Sequence, residues 1–449
     1  MSERIGNQLR LLLFCALIGA FSGAVFWVFL FLVEKGTWLI WELAPTSVTS
    51  SLWYSVLVGG LGGLAVGLLR ARFGKYPEGM ETVLGTLKTT GTYAYTKLPA
   101  ILACAILSLI VGSSVGPEAG MVSVIVCLCC WAGENLRFAS AESAYLSKVG
   151  ASASLSILFR SPLFGFFDVE EDVDGEAREL TKSGKIVSYC VAAGTGFALF
   201  ALLNGLFGNV TTSFPSFEPA SATWLDLVLF LPFVLLGIAL AFVFTVSEQG
   251  FELVAERLPP VVGELTCGIV LGLVCALWPG VRFSGEEQMG EMIAASFVGY
   301  APLMLIGVAF LKVLLTNLCI SWGLAGGHFF PLIYAAVCLG AGCSLFISAG
   351  DLGHATIAAG VVAAACLGTT MRKPLAVAML LLLCFPVRML VWTVPAAALA
   401  AWVVGLVSGK RSKAGKTGES SGEPKRTPER PEPRVRMPRR PAPRNNASS

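Results

Sequence analysis

Apolar and polar positions alternate in long blocks rather than at helical or strand spacing. A first apolar run covers residues 11–33. Others follow at about 52–70, 97–114, 119–132, 142–159, 184–208, 223–246, 261–278, 300–322, 329–349, 355–368, 374–386 and 388–408. Segments apolar over this length predict membrane helices. Several are too short to cross a hydrocarbon core of ~30 Å at about 1.5 Å per residue. Glycine and proline breaks at 112–120, Ser161-Pro162, 323–331 and Lys373-Pro374 predict helices that stop partway, their polar ends facing a protein-enclosed or wet cavity. The first run is too long for a signal-peptide core and has no Ala-x-Ala exit, so it reads as a first membrane helix.

Composition strengthens this picture. Hydrophobic residues make up 55% of the 449, and Asp, Glu, Lys and Arg only 14%. Residues 409–449 hold 12 Lys/Arg and 4 Asp/Glu, a local +8 against +3 for the whole chain, which leaves −5 for the first 408. A soluble domain carries about 25% charged residues, so an ordinary soluble enzyme is excluded. The basic tail, with seven prolines between Pro424 and Pro443, predicts disorder and a cytoplasmic C-terminus in a cell-membrane protein. It retains and orients the chain, or touches anionic lipid headgroups. The expected divisions are a cytoplasmic N-terminus at 1–10, a first membrane repeat at 11–208, a second at 209–408 and the tail at 409–449.

Thirteen cysteines lie mostly inside apolar runs and read as small buried hydrophobes. Cys127, Cys129 and Cys130 are too close together for a zinc pattern, and His328 and His354 have no neighbouring ligand pair, so no metal is expected. Nor is a cofactor or a nucleic-acid partner. No HExxH is present and no nucleophile has a histidine at plausible depth, which argues against an intramembrane enzyme.

The two halves repeat one order of elements. YPEGMETVLG from Tyr76, GPEAGMVSVIVCLC from Gly116 and RSPLFGFF from Arg160 are followed by FSGEEQMGEMI from Phe283, GHFFPLIYAAVCLG from Gly327 and RKPLAVAML from Arg372. A receptor or scaffold would not need such duplicated broken-helix motifs. They make Glu118 and residues 329–331 counterparts facing one site. Glu118 follows a proline suited to the first helical turn. As a helix-start charge it would contribute about 0.3–1 kcal/mol, while an acid at the membrane centre costs roughly 2.5–3.5 kcal/mol. The cost exceeds the gain, so Glu118 is expected to be functional. A helix start with free N–H groups and flanking glycines is an anion site, which a flexible carboxylate could fill and then leave when protonated or displaced.

In these motifs the chain resembles the ClC family of chloride channels and chloride/proton antiporters. Residues 116–120, Gly-Pro-Glu-Ala-Gly, stand where the family has GREGP, whose glutamate is the external gate. Gly327-His328-Phe329-Phe330-Pro331 matches GxFxP in full. The resemblance implies an all-α polytopic membrane protein, an inverted repeat of tilted and broken helices, working as a homodimer with one pathway per subunit. It implies an anion held near Gly116, Ala119, Gly120, Gly327 and His328 by the N–H groups of Phe329 and Phe330. His328 could also sense pH or merely fill a helix start.

The stretch from Phe159 to Asp172 resembles the family's FNAPL…EE and implies an inner proton acceptor at Asp172 or Glu171, although the acids there could equally form a solvated cluster. Where the family has GSGIP, this chain has Gly74-Lys75-Tyr76-Pro77, so the anion-touching serine is missing and Lys75 or Tyr76 is the candidate replacement. The family's late tyrosine has no evident match. The implied function is chloride transport, by a channel or a chloride/proton antiporter gated at Glu118. A fluoride or broad-specificity anion exporter of the same fold is the alternative.

Overall fold

The computed structural model describes the chain except for residues 1, 44–47, 49–50, 91–92, 136–142, 160, 162–181, 209–214, 219–220, 260, 295–299, 348–351 and 419–449. Among the described residues there are fifteen α-helices and no sheet, only one isolated β-bridge. In the first half these are α1 (Ser2–Thr37), α2 (Leu52–Phe73), α3 (Met80–Thr90), α4 (Leu98–Ile110), α5 (Glu118–Asn135), α6 (Ser143–Leu158) and α7 (Lys182–Phe207). The second half contains α8 (Trp224–Ala255), α9 (Val262–Leu277), α10 (Glu286–Ala294), α11 (Pro302–Ser321), α12 (Phe329–Ile347), α13 (Leu352–Met371), α14 (Pro374–Leu381) and α15 (Leu390–Gly418).

Among the described residues eight helices are long and apolar enough to cross a membrane, and the shorter apolar ones include Glu118–Trp131 and Val262–Leu277. The solvent pattern of a soluble protein is reversed. Leu9, Leu13, Leu17 and Phe21 of α1 are exposed at every fourth position, while Glu118, Lys312 and Asn317 are buried. An outward apolar stripe with polar groups inside fits a lipid surround, and the chain is a multi-pass membrane protein.

The two halves repeat α2 to α6 as α9 to α13, as the motif order predicts. Small residues set how closely they meet. On α2 and α9, a side chain at Gly59 would strike the Gly268 carbonyl, one at Gly268 would strike the Gly59 carbonyl, and one at Gly272 would strike the Ser55 carbonyl. Where lipid removes the hydrophobic drive between helices, such backbone contact supplies the packing energy.

Residues 1–404 form one compact unit and 405–449 a second. In the second, α15 continues past the expected tail start at residue 409, as far as Gly418. Alanine, lysine and arginine in this stretch are good helix formers. The expected disorder beyond it concerns residues outside those described.

Gly268→Val should destabilise the protein by ~1–3 kcal/mol or more, because the added groups meet backbone that cannot rotate away. Gly194→Ala on α7, where nothing lies within 4 Å, should be near neutral. Thermal melts of the detergent-purified variants check both.

Candidate functional site

The candidate site is built where two loops meet. In the first half α4 ends and residues 112–117 lead into α5; in the second α11 ends and residues 323–328 lead into α12. Each loop begins with a glycine in left-handed conformation, Gly112 (φ 91°) and Gly323 (φ 103°), which ends the preceding helix without steric cost. Four residues later, the glycines that close the loops pair head to head. The Gly116 N–H donates to the Gly327 carbonyl at 2.8 Å, and the Gly327 N–H returns the bond at 2.7 Å. The antiparallel sense of this bridge is what an inverted repeat requires.

Beyond the bridge each loop turns into a helix. The Pro117 carbonyl accepts from Met121 N–H and the His328 carbonyl from Leu332 N–H, each at 3.0 Å. Glu118 and Phe329 are therefore equivalent first helical residues. Pro117 and Pro331 sit where a missing N–H costs little.

The Glu118 side chain is 0% exposed. One carboxylate oxygen, Oε1, accepts from Phe330 N–H at 3.1 Å, and the amides of Phe329 and Glu118 itself also bear on the carboxylate. The other, Oε2, is buried with no hydrogen-bond partner among the described residues. The walls beside it are glycine: a methyl at Gly116 or Gly327 would overlap the carboxylate. Each helix start presents about half a positive charge. Two of them facing one carboxylate supply roughly the charge that desolvation makes necessary.

Supporting contacts come from both halves. The Phe159 ring, at the start of the third motif, lies 6.0 Å from that of Phe329 and 5.2 Å from that of Phe330. His328 packs between Phe244 at 5.3 Å and Phe329 at 4.6 Å. The Ser114 and Thr316 hydroxyls meet at 3.2 Å, tying the first loop to α11.

Not every expected site residue arrives here. Gly120 faces the Ala105 side chain, where a Cβ would lie 2.6 Å from it, so its smallness serves the approach of α5 to α4. The Ala119 carbonyl accepts the Ser123 hydroxyl at 2.8 Å. Lys75 is exposed. Tyr76 lines a cavity of about 500 Å³ with Glu78, Thr86, Tyr93, Ala94, Tyr95 and Thr96, in which the Tyr93 hydroxyl donates to Glu78 Oε2 at 3.0 Å. None of the Glu118 neighbours lines that cavity. Gly74, just before this stretch, has φ 113°, a conformation that glycine adopts without strain. Glu171 and Asp172 lie outside the described residues.

Two features were not foreseen. Lys312 is a fully buried cation on α11, signalled only as a lone charge inside the run 300–322. His354 Nδ1 lies 2.7 Å from Asp226 Oδ1, joining the start of α13 to that of α8. The partners are 128 residues apart, so no local pattern announces the pair.

A helical membrane fold built from two opposed halves, with broken helix starts converging on one buried carboxylate, defines the class of ion-translocating inverted-repeat proteins. The model of the voltage gated chloride channel family matches residues 62–405, and the chain belongs to that family. It is 24% identical over 347 residues to a putative ion-transport protein, YfeO, of Escherichia fergusonii, which covers 76% of this chain and 80% of that one. Among solved structures it resembles a slow cyanobacterial Cl−/H+ antiporter, with TM-score 0.73, 19% identity and coverage of 91% of this chain and 99% of the other. It also resembles a CLC-type fluoride/proton antiporter, with TM-score 0.67, 19% identity and coverage of 88% and 94%.

Gly327→Ala should force the Glu118 carboxylate out of its place. Carbodiimide labelling of Glu118, followed by mass spectrometry, is expected to quicken roughly tenfold, the factor that about 1.4 kcal/mol of strain corresponds to.

Proposed function

We propose that the protein carries small anions, chloride foremost, across the membrane, and that Glu118 is the gate. The observation that carries this reading is the Glu118 carboxylate lying against the Phe330 amide with Oε2 left unpartnered. A buried acceptor without a donor costs about 1–3 kcal/mol, so the carboxylate is held well enough to block the site and loosely enough to leave it. A mobile anion entering between the same helix starts meets the same amides and dipoles. The serine missing from residues 73–78 favours a permissive order among anions, and fluoride is the alternative cargo within this reading. The C-terminus is assigned to the cytoplasm on the strength of the basic residues 410–444, and the N-terminus is assigned to the same side.

Purified protein in liposomes, with anion flux and pH followed together, tests the gate. Glu118→Gln should keep anion flux, lose its dependence on external pH and lose any coupled proton movement. PH dependence and coupling equal to the parent's would show that the gate lies elsewhere.

Proton coupling needs an inner acceptor, and we assign it to Asp172, with Glu171 as the second candidate. Asp172→Asn, or failing that Glu171→Gln, should cut proton flux by about a hundredfold, the size usual for removing a positioned proton-transfer group, and spare anion flux. A parent protein that moves no protons uphill under a chloride gradient is a passive channel instead.

A further inference from the structure

Lys312 has 0% of its surface exposed. Its ammonium donates to the Val281 carbonyl at 3.0 Å and to the Phe283 carbonyl, and stands 5.6 Å from the centroid of the Tyr334 ring. Among the described residues no carboxylate lies within ion-pair distance of it, and Glu286 at the start of α10 is the one carboxylate whose charge bears on it. Arg282, on the same turn, is only partly buried and stacks on Trp41 at 3.9 Å. Two carbonyls and a ring solvate an ammonium without cancelling its charge. A membrane-buried cation left in that state is expensive unless a negative charge lies within reach of its field.

The surroundings also tie Lys312 to the Glu118 loop. One helical turn on from Lys312, on the same face of α11, Thr316 meets Ser114. The turn held by Lys312 also reaches the same loop, because Phe283 N–H donates to the Gly112 carbonyl at 3.3 Å. The ammonium is thus fastened from two sides to the loop that ends at Glu118. Ser114 and Glu118 are four residues apart, a span of at most about 14 Å.

We propose that Lys312 is the fixed counter-charge of the Glu118 site, raising its affinity for an anion without touching it. This rests on the anion-transport reading and deepens it. With the carboxylate in place, or with a mobile anion in its stead, the site holds one negative charge, and one buried positive charge offsets it in both states. At an effective dielectric of about 20, a five- to tenfold change in anion occupancy corresponds to a unit charge roughly 12–17 Å from the site. Burial keeps salt from screening it.

The test uses the full chain, with chloride binding measured by titration calorimetry and chloride flux measured in liposomes. Lys312→Gln keeps N–H donors for the two carbonyls and drops the charge; Lys312→Arg keeps the charge. The glutamine variant should bind chloride roughly five- to tenfold more weakly and need correspondingly more chloride for half-maximal flux, with little change in maximal rate. The arginine variant should stay close to the parent. A glutamine variant equal to the parent, or an arginine variant as impaired as the glutamine one, overturns the proposal and leaves Lys312 as a clamp on the turn.

Should the glutamine variant fail to fold, the parent still decides. Its chloride affinity should not change when ionic strength is raised with potassium gluconate, and a marked fall would assign the attraction to surface charges and overturn the proposal. A parent that neither binds nor moves chloride overturns the transport reading itself, a result distinct from all of these.

Discussion

Burying one carboxylate inside a membrane fold is the constraint from which the central architecture follows. A lone ionised acid in an apolar interior is unaffordable, so Glu118 has to be surrounded by donors that do not themselves need water. Backbone N–H groups at helix starts meet this need, since an α-helix leaves its first N–H groups unpaired. The first N–H groups of α12 are directed at Glu118, and α5 begins on the glutamate itself. Both helices must therefore begin at this buried point, and each is entered through a loop following a helix that ended there. Broken helices are a consequence of placing charge at depth.

Bringing two helix starts to one point requires their loops to pass each other at backbone distance. Gly116 and Gly327 achieve this by pairing with each other, and their missing side chains leave the volume that the carboxylate occupies. One glycine pair so satisfies two needs, hydrogen bonding of loop backbone away from water and room for the acid. The same economy recurs between buried helices, where Gly237 lets α8 approach the Val362 carbonyl of α13 and Gly340 lets α12 approach the Ala358 carbonyl. The chain α8–α13–α12 is packed through these contacts. The orientation of the Phe329 and Phe330 amides is consequently anchored well away from the site.

Much of this was legible in the sequence because its signals are local. Glu118 declares itself by cost, an acid between two apolar runs, and the spacing of Gly112 to Gly116 repeats in Gly323 to Gly327. The pairing of the halves follows from the repeat, and GxFxP identifies the second helix start. What sequence left obscure depends on three-dimensional approach. Gly120 sits inside the anion motif yet serves the α4–α5 contact, and nothing in its position distinguishes the two uses. Lys75 and Tyr76 occupy the motif position of an inner ligand, but one is exposed and the other lines a cavity that none of Glu118's neighbours lines, placements set by packing rather than by the motif. No local pattern singles out Lys312, since its partners are carbonyls about thirty residues upstream.

On the proposed reading, the carboxylate and the transported anion require the same thing, a negative charge held by amides at two helix starts, so they cannot be held there together. Exclusion of this kind needs no large movement. The site trades one negative charge for another, its total charge stays constant, and the surrounding dipoles need not reorganise. A preformed amide ring discriminates among anions by size and hydration rather than by side-chain chemistry, because every N–H is alike. The glycine bridge and the packing behind it fix that amide wall, so the discrimination it offers is set before an anion arrives.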